Sequence, residues 1–225
     1  MEGAGVNRPK RIAIISAIFC IAVGLIVFAA MAFIRSSPPS VDFTAQSGEP
    51  VDLTIQTVGT FGSGVHSTWV SYLVKSPSGK WVHTTLWKLP SNTTVDVTLL
   101  QYDSGSPLRN QELGSVTGVQ NPTMNGAPFT LVNSYAGNGV AHTFSVPELN
   151  INVPLPGINP NAKNACGAAP CTLADAHNTV KFSFNTGAAG MYRWQCFIPC
   201  GLGFLYGNGG PMQTIGYMDG FLEVS

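Results

Sequence analysis

Polar and apolar residues alternate with a period of two along several short stretches of this chain. Val51-Asp-Leu-Thr-Ile-Gln-Thr-Val and Thr93-Thr-Val-Asp-Val-Thr-Leu-Leu both show the pattern, which predicts strands with one buried face. Trp69-Val-Ser-Tyr-Leu-Val-Lys runs into the turn signal Ser76-Pro-Ser-Gly, followed by a strand over Lys80 to Trp87. Further strands are predicted over 140–153, 179–184, 192–197 and 220–224. Residues 104–128 are rich in Gly, Ser, Asn and Pro and predict a long surface loop. No amphipathic helix and no internal repeat interrupts the series. Short strands joined by Gly/Pro turns predict an all-β domain, a Greek-key β-sandwich.

One segment breaks the alternation. Ile12 to Ile34 is uncharged throughout, and its 23 positions at about 1.5 Å each exceed the ~30 Å hydrocarbon core of a bilayer. Arg8, Lys10 and Arg11 precede it and Arg35 follows. The positive-inside rule then predicts a cytoplasmic amino terminus and an extracytoplasmic body, a single-pass protein of the cell membrane. A cleaved signal peptide is the alternative, but its apolar region is usually shorter and no small-x-small site precedes Ser36. The expected layout is a cytoplasmic tail (1–11), a transmembrane helix (12–34), a linker (35–40) and one domain (41–225). Ser36-Ser-Pro-Pro-Ser makes the linker stiff.

Composition narrows the function classes. With 10% charged residues, 25 Gly and 16 Pro in 225 positions, the chain suits strands and loops better than a helical bundle. Zero net charge gives no reason to expect nucleic acid. The expected extracytoplasmic part carries seven Lys/Arg against ten Asp/Glu, a net charge of −3. A mildly acidic body could attract a basic cytochrome, and it is equally an ordinary solubility feature. No nucleophile elbow, HExxH or phosphate loop is present, so a stand-alone enzyme is not expected. Asn92-Thr-Thr is a formal glycosylation sequon.

The five cysteines divide by position. Cys20 lies in the apolar run and reads as a filler. Cys166 and Cys171 bracket Gly-Ala-Ala-Pro, a spacing that lets a turn close a disulfide outside the cytoplasm. Cys196 and Cys200 follow an aromatic strand, and Met218 opens the last one. Soft sulfur donors on a short loop between strands suit copper. The alternative is a Cys196–Cys200 disulfide with no metal. His142 heads another strand and reads either as a metal ligand or as a histidine bonded to a carbonyl. His66, His83 and His177 have no partner at ligand spacing, although His177 could supply an imidazole if its loop folds back. Trp69, Trp81, Trp87 and Trp194 read as core filling.

Val140-Ala-His142-Thr-Phe-Ser-Val-Pro-Glu-Leu-Asn-Ile with its following Pro-Gly turn, and Cys196-x-x-x-Cys200-Gly, resemble the copper-binding (CuA) domain of cytochrome c oxidase subunit II. The resemblance covers roughly 90–225. It implies a cupredoxin-like Greek-key sandwich behind a membrane anchor, copper as cofactor, and respiratory oxidase subunits or cytochrome c as partners. The family has a histidine four residues after the second cysteine and a methionine three further on; here these are Phe204 and Gly207. The chain instead ends as Met218-Asp-Gly-Phe-Leu-Glu-Val, similar to the close of single-copper cupredoxins, where the methionine is axial. Met218 fits that position and Met212 competes for it. A blue-copper site needs two imidazoles and a thiolate, and only His142 stands beside the cysteines. The expected ligand set is His142, Cys196, Cys200 and Met218, serving electron transfer in a respiratory chain. A metal-free accessory subunit and a Cu(I) carrier for oxidase assembly remain open as alternatives.

Overall fold

Matched rows of apolar side chains run across three neighbouring strands. β2 (Val51–Val58) lies parallel to β6 (Thr94–Gln101), and β6 lies antiparallel to β11 (Asn178–Asn185). Their register sets Val51 beside Val95 and Phe184, Leu53 beside Val97 and Phe182, and Ile55 beside Leu99 and Val180. All nine are buried, as period-two alternation requires of one sheet face. These rows belong to a computed structural model of the chain, which describes residues 8–31, 38–46, 50–62, 64, 66–201 and 210–225. Phe204 and Gly207 lie outside them.

The chain divides into two compact units, Met1–Ser37 and Pro38–Ser225. The described part of the first is α1 (Arg8–Ala29), 22 residues of apolar helix with no buried residue. It is long and apolar enough to cross a membrane, and a signal sequence meets the same description. The described helix takes in Arg8, Lys10 and Arg11 ahead of the apolar run, since Arg and Lys are good helix formers.

The second unit is the expected all-β sandwich of two sheets. The remaining strands are β1 (Ser40–Asp42), β3 (Ser71–Lys75), β4 (Trp81–Val82), β5 (Leu86–Leu89), β7 (Gln120–Met124), β8 (Ala127–Pro128), β9 (Val140–Val146), β10 (Ile151–Pro156), β12 (Gly190–Gln195) and β13 (Asp219–Val224). One sheet has the order β1-β5-β13-β12-β9-β10, the other β4-β3-β2-β6-β11-β7-β8. Between them Trp87 and Trp194 stack at 4.6 Å, with Phe144 tilted 5.5 Å from Trp194 and Tyr72 edge-on to it at 4.9 Å.

Several expectations are corrected. Lys80 to Trp87 is not one strand: β4 and β5 lie in different sheets, with buried Thr84 and Thr85 between them. Thr85 is a hydrogen-bonding hub, and its polar demands stop the ladder. Its carbonyl accepts from the Trp194 indole and the Phe221 amide, while its hydroxyl donates to the Asp219 carbonyl and accepts from the Gly216 amide. Residues 104–128 are not a plain loop: Gln111–Gly114 forms a 3-10 turn and β7 pairs with β11. Residues 140–153 form a hairpin, turned at Pro147–Leu149 with Asn150 left-handed at φ 56°. Of the four tryptophans only Trp87 and Trp194 are fully buried; Trp69 stacks on His66 instead.

The Cys166–Cys171 disulfide is formed, with Cα atoms 5.7 Å apart. It adjoins a small satellite core of Val58, Leu73, Leu100 and Tyr102.

Candidate metal centre

Period-two geometry explains why three distant side chains meet. On β9, His142 and Phe144 share a face; on β12, Trp194 shares one with Cys196, just past the strand end. Phe144 and Trp194 pack against each other in the core. Their neighbours one step along, His142 and Cys196, therefore converge at the same pole. Cys200 returns to this point after Phe197-Ile-Pro.

The ring Nδ1 of His142 lies 2.9 Å from Cys200 Sγ and 3.8 Å from Cys196 Sγ. The two sulfurs are 3.2 Å apart, and both thiols are free. A disulfide would hold them at about 2.05 Å. All three residues are buried, and their donor atoms fall within 4.8 Å of one another. The Thr143 amide donates to Cys196 Sγ at 3.4 Å, and the Cys196 amide donates to the Met218 carbonyl at 3.0 Å.

Met218 is thus tied to the cysteine loop through its backbone, and it is fully buried in the core. Met212 also touches the loop, its Sδ accepting from the Cys200 amide at 3.4 Å. The return into β13 is clamped by Arg193, which donates to both oxygens of Asp219 at 2.9 and 2.7 Å.

The other histidines are engaged elsewhere. His177 Nδ1 lies 2.8 Å from the Asp175 carbonyl and its ring lies over Tyr102, in the satellite region. His83 stacks on Phe61 at 4.0 Å and His66 on Trp69 at 3.7 Å. Neither joins the sulfurs.

Sequence reasoning missed Asp103. Its Oδ2 lies 3.2 Å from His142 Nε2, on the ring edge opposite the sulfurs. The one signal for it was an acid placed where the alternation of β6 ends. With Trp69, Pro199, Cys200 and Pro211, Asp103 borders a cleft of about 490 Å³.

The electrostatics of the three donors are linked. Burial pushes the Cys196 thiol up, but hydrogen bonds from Cys200 and His142, the His142 charge and the Thr143 amide hold it well below the ordinary thiol value. Burial pushes Cys200 up, and the neighbouring Cys196 and Asp103 push it further. Burial pulls His142 down, yet Asp103 and Cys196 overcome this and raise it to about 9. These shifts together favour a Cys196 thiolate beside a His142 imidazolium, with Cys200 left as the thiol.

A metal needs both thiolates and a free imidazole nitrogen, so binding must expel two protons. Protons compete with metal: affinity rises most steeply with pH until His142 has titrated near 9, and less steeply beyond it while Cys200 is still a thiol. Between pH 6 and 8 the dissociation constant for Cu(I) is expected to fall about a hundredfold per pH unit, the slope for two protons. Competition against a chelator of known pH dependence measures it, and a flat profile would contradict this protonation assignment.

No protein-family model matches the chain. No curated protein matches it. Among solved structures it is similar to rusticyanin from Thiobacillus ferrooxidans, at 18% identity and a TM-score of 0.37 over 85% of each chain. A reduced rusticyanin is similar at 16% identity and a TM-score of 0.35, over 85% of this chain and 87% of that one.

The donor set itself fits a soft ion. Two sulfurs and one imidazole nitrogen, preformed in a buried pocket, suit copper better than magnesium or calcium, which prefer oxygen.

Proposed function

We propose that the chain is a membrane-anchored, extracytoplasmic copper protein related to cytochrome c oxidase subunit II that carries electrons in a respiratory chain. The observation that carries this reading is the buried convergence of His142, Cys196 and Cys200 at one pole of the sandwich. Met218, and Met212 in competition, would complete the set. Copper, when bound, supplies a one-electron couple. The protein's part is to hold the donors still: His142 and Cys196 extend the rigid aromatic rows, and Arg193–Asp219 fixes the loop's return. Donors that barely move keep the reorganisation cost of electron transfer small. The Thr143 amide stabilises charge on Cys196.

In this reading residues 12–34 anchor the protein, with 1–11 in the cytoplasm, 35–40 as linker and 41–225 outside. Arg8, Lys10 and Arg11 support that orientation. Respiratory oxidase subunits or cytochrome c would be the partners.

A Cu(I) carrier is the second reading, favoured by the lack of a second imidazole beside the sulfurs among the described residues. Elemental analysis of the full chain in detergent, followed by oxidation, separates the two. Electron transfer requires bound copper, intense thiolate-to-copper absorption on oxidation, and reversible bleaching on reduction. Stable colourless Cu(I) that leaves on oxidation selects the carrier. Protein without copper after reconstitution under reducing conditions rejects both.

A further inference from the structure

We propose that Asp103 is a positioning residue of the metal centre, holding the His142 ring so that Nδ1 faces the two sulfurs. The inference rests on the copper reading and adds a residue to it.

The geometry is that of a carboxylate–histidine pair: Oδ2 of Asp103 on Nε2, with the opposite ring nitrogen 2.9 Å from Cys200 Sγ. An Nε2–H donated to a carboxylate leaves the Nδ1 lone pair for the metal and makes the ring a stronger donor.

The fold fixes the backbone that carries this carboxylate from several sides. The Asp103 amide donates to Gln101 Oε1 at 2.9 Å, and its carbonyl accepts from Gln101 Nε2 at 2.6 Å and from the Ile158 amide at 2.9 Å. Gln101 is itself fully buried and accepts a 2.6 Å hydrogen bond from Thr57. Oδ1 takes the Ser104 amide at 2.7 Å, leaving Oδ2 for the histidine.

Gly59 completes the fit. A Cβ there would sit 2.5 Å from Asp103 Oδ1, so only glycine leaves room for the carboxylate in this position. The Asp103 side chain is 27% exposed. Solvent therefore weakens the pair's Coulombic part more than its directional part.

The test uses full-length protein in detergent, with wild type, Asp103→Asn and Asp103→Ala loaded with Cu(I). Cu(I) affinity is expected to fall about 10–100-fold in Asp103→Ala, with Asp103→Asn between, because an amide oxygen still accepts from Nε2–H. The reduction potential should rise in both variants, since each loses the same negative charge. In proton NMR of the diamagnetic Cu(I) form, a slowly exchanging His142 Nε2–H should be present in wild type and absent in Asp103→Ala.

Wild type that fails to bind Cu(I) overturns the copper reading and this inference with it. Wild type that binds, with variants matching it in affinity, potential and Nε2–H exchange, overturns this inference alone. A lowered melting temperature with all three unchanged marks a merely structural residue and also overturns it. Should Asp103→Ala not fold, Asp103→Asn carries the same comparison.

Discussion

Cys196→Ser is expected to remove copper binding while leaving the sandwich folded. Cys196 is the readier thiolate of the pair: burial pushes its thiol up, but Cys200, His142 and the Thr143 amide favour its charge and hold it well below the ordinary thiol value. Serine at that position is a hard, protonated hydroxyl with little affinity for a soft ion. Four-ligand metal sites bind with roughly 10–16 kcal/mol, so one ligand accounts for about 3–4 kcal/mol, or ~10²–10³-fold in affinity. The remaining Cys200 is a poor substitute, since burial and the neighbouring Asp103 still push its thiol up once Cys196 is gone. Chelator competition and the absorption of the oxidised protein measure the effect, with circular dichroism reporting the fold. Affinity within threefold of wild type would show that the sulfur pair does not hold the metal.

Trp194→Ala should produce the largest loss of stability. The indole is fully buried, stacked on Trp87 and edge-on to Tyr72, and its N–H donates to the Thr85 carbonyl at 3.1 Å. Truncating a buried tryptophan costs about 3–5 kcal/mol. For a body of this size that lowers the melting temperature by roughly 2–4 °C per kcal/mol. Thr85 keeps one partner, because its carbonyl also accepts from the Phe221 amide. The cost is therefore mainly cavity and lost contact, not an orphaned acceptor. Copper affinity should drop as well, since Cys196 continues the same strand face. A solvent-facing control such as Met191→Ala, at a residue 60% exposed, should stay within about 0.5 kcal/mol of wild type. Denaturant melts of metal-free protein decide the matter: a change below 1 kcal/mol in Trp194→Ala would mean the aromatic rows do not organise the core.

How much of this could be read from residues alone depends on the range of the interaction involved. β2, β6 and β11 are legible because alternation is local and each strand carries its own signal. The split between β4 and β5 is not, because it arises from Thr85 bonding to Asp219 and Gly216, more than a hundred positions away. β7 escaped notice for a related reason. Gln120-Asn-Pro-Thr-Met carries no alternation, and pairing with β11 makes it a strand.

At the metal pole, His142, Cys196 and Cys200 announce themselves by residue type and by the motifs around them. Asp103 does not, since an acid at a strand end is ordinary until the fold sets it against an imidazole. The methionine question shows the same limit. Spacing favours Met218, yet the thioether touching the Cys200 amide is that of Met212.

The placement of β13 has a consequence for the order of folding. β13 sits in the interior of its sheet, joining β12 to the parallel strands β5 and β1. Its partner β5 lies more than a hundred positions back along the chain, and pairings across so long a stretch form slowly. Because the Cys196 amide is held by the Met218 carbonyl at the head of β13, the cysteine loop gains a fixed address only once that strand has docked.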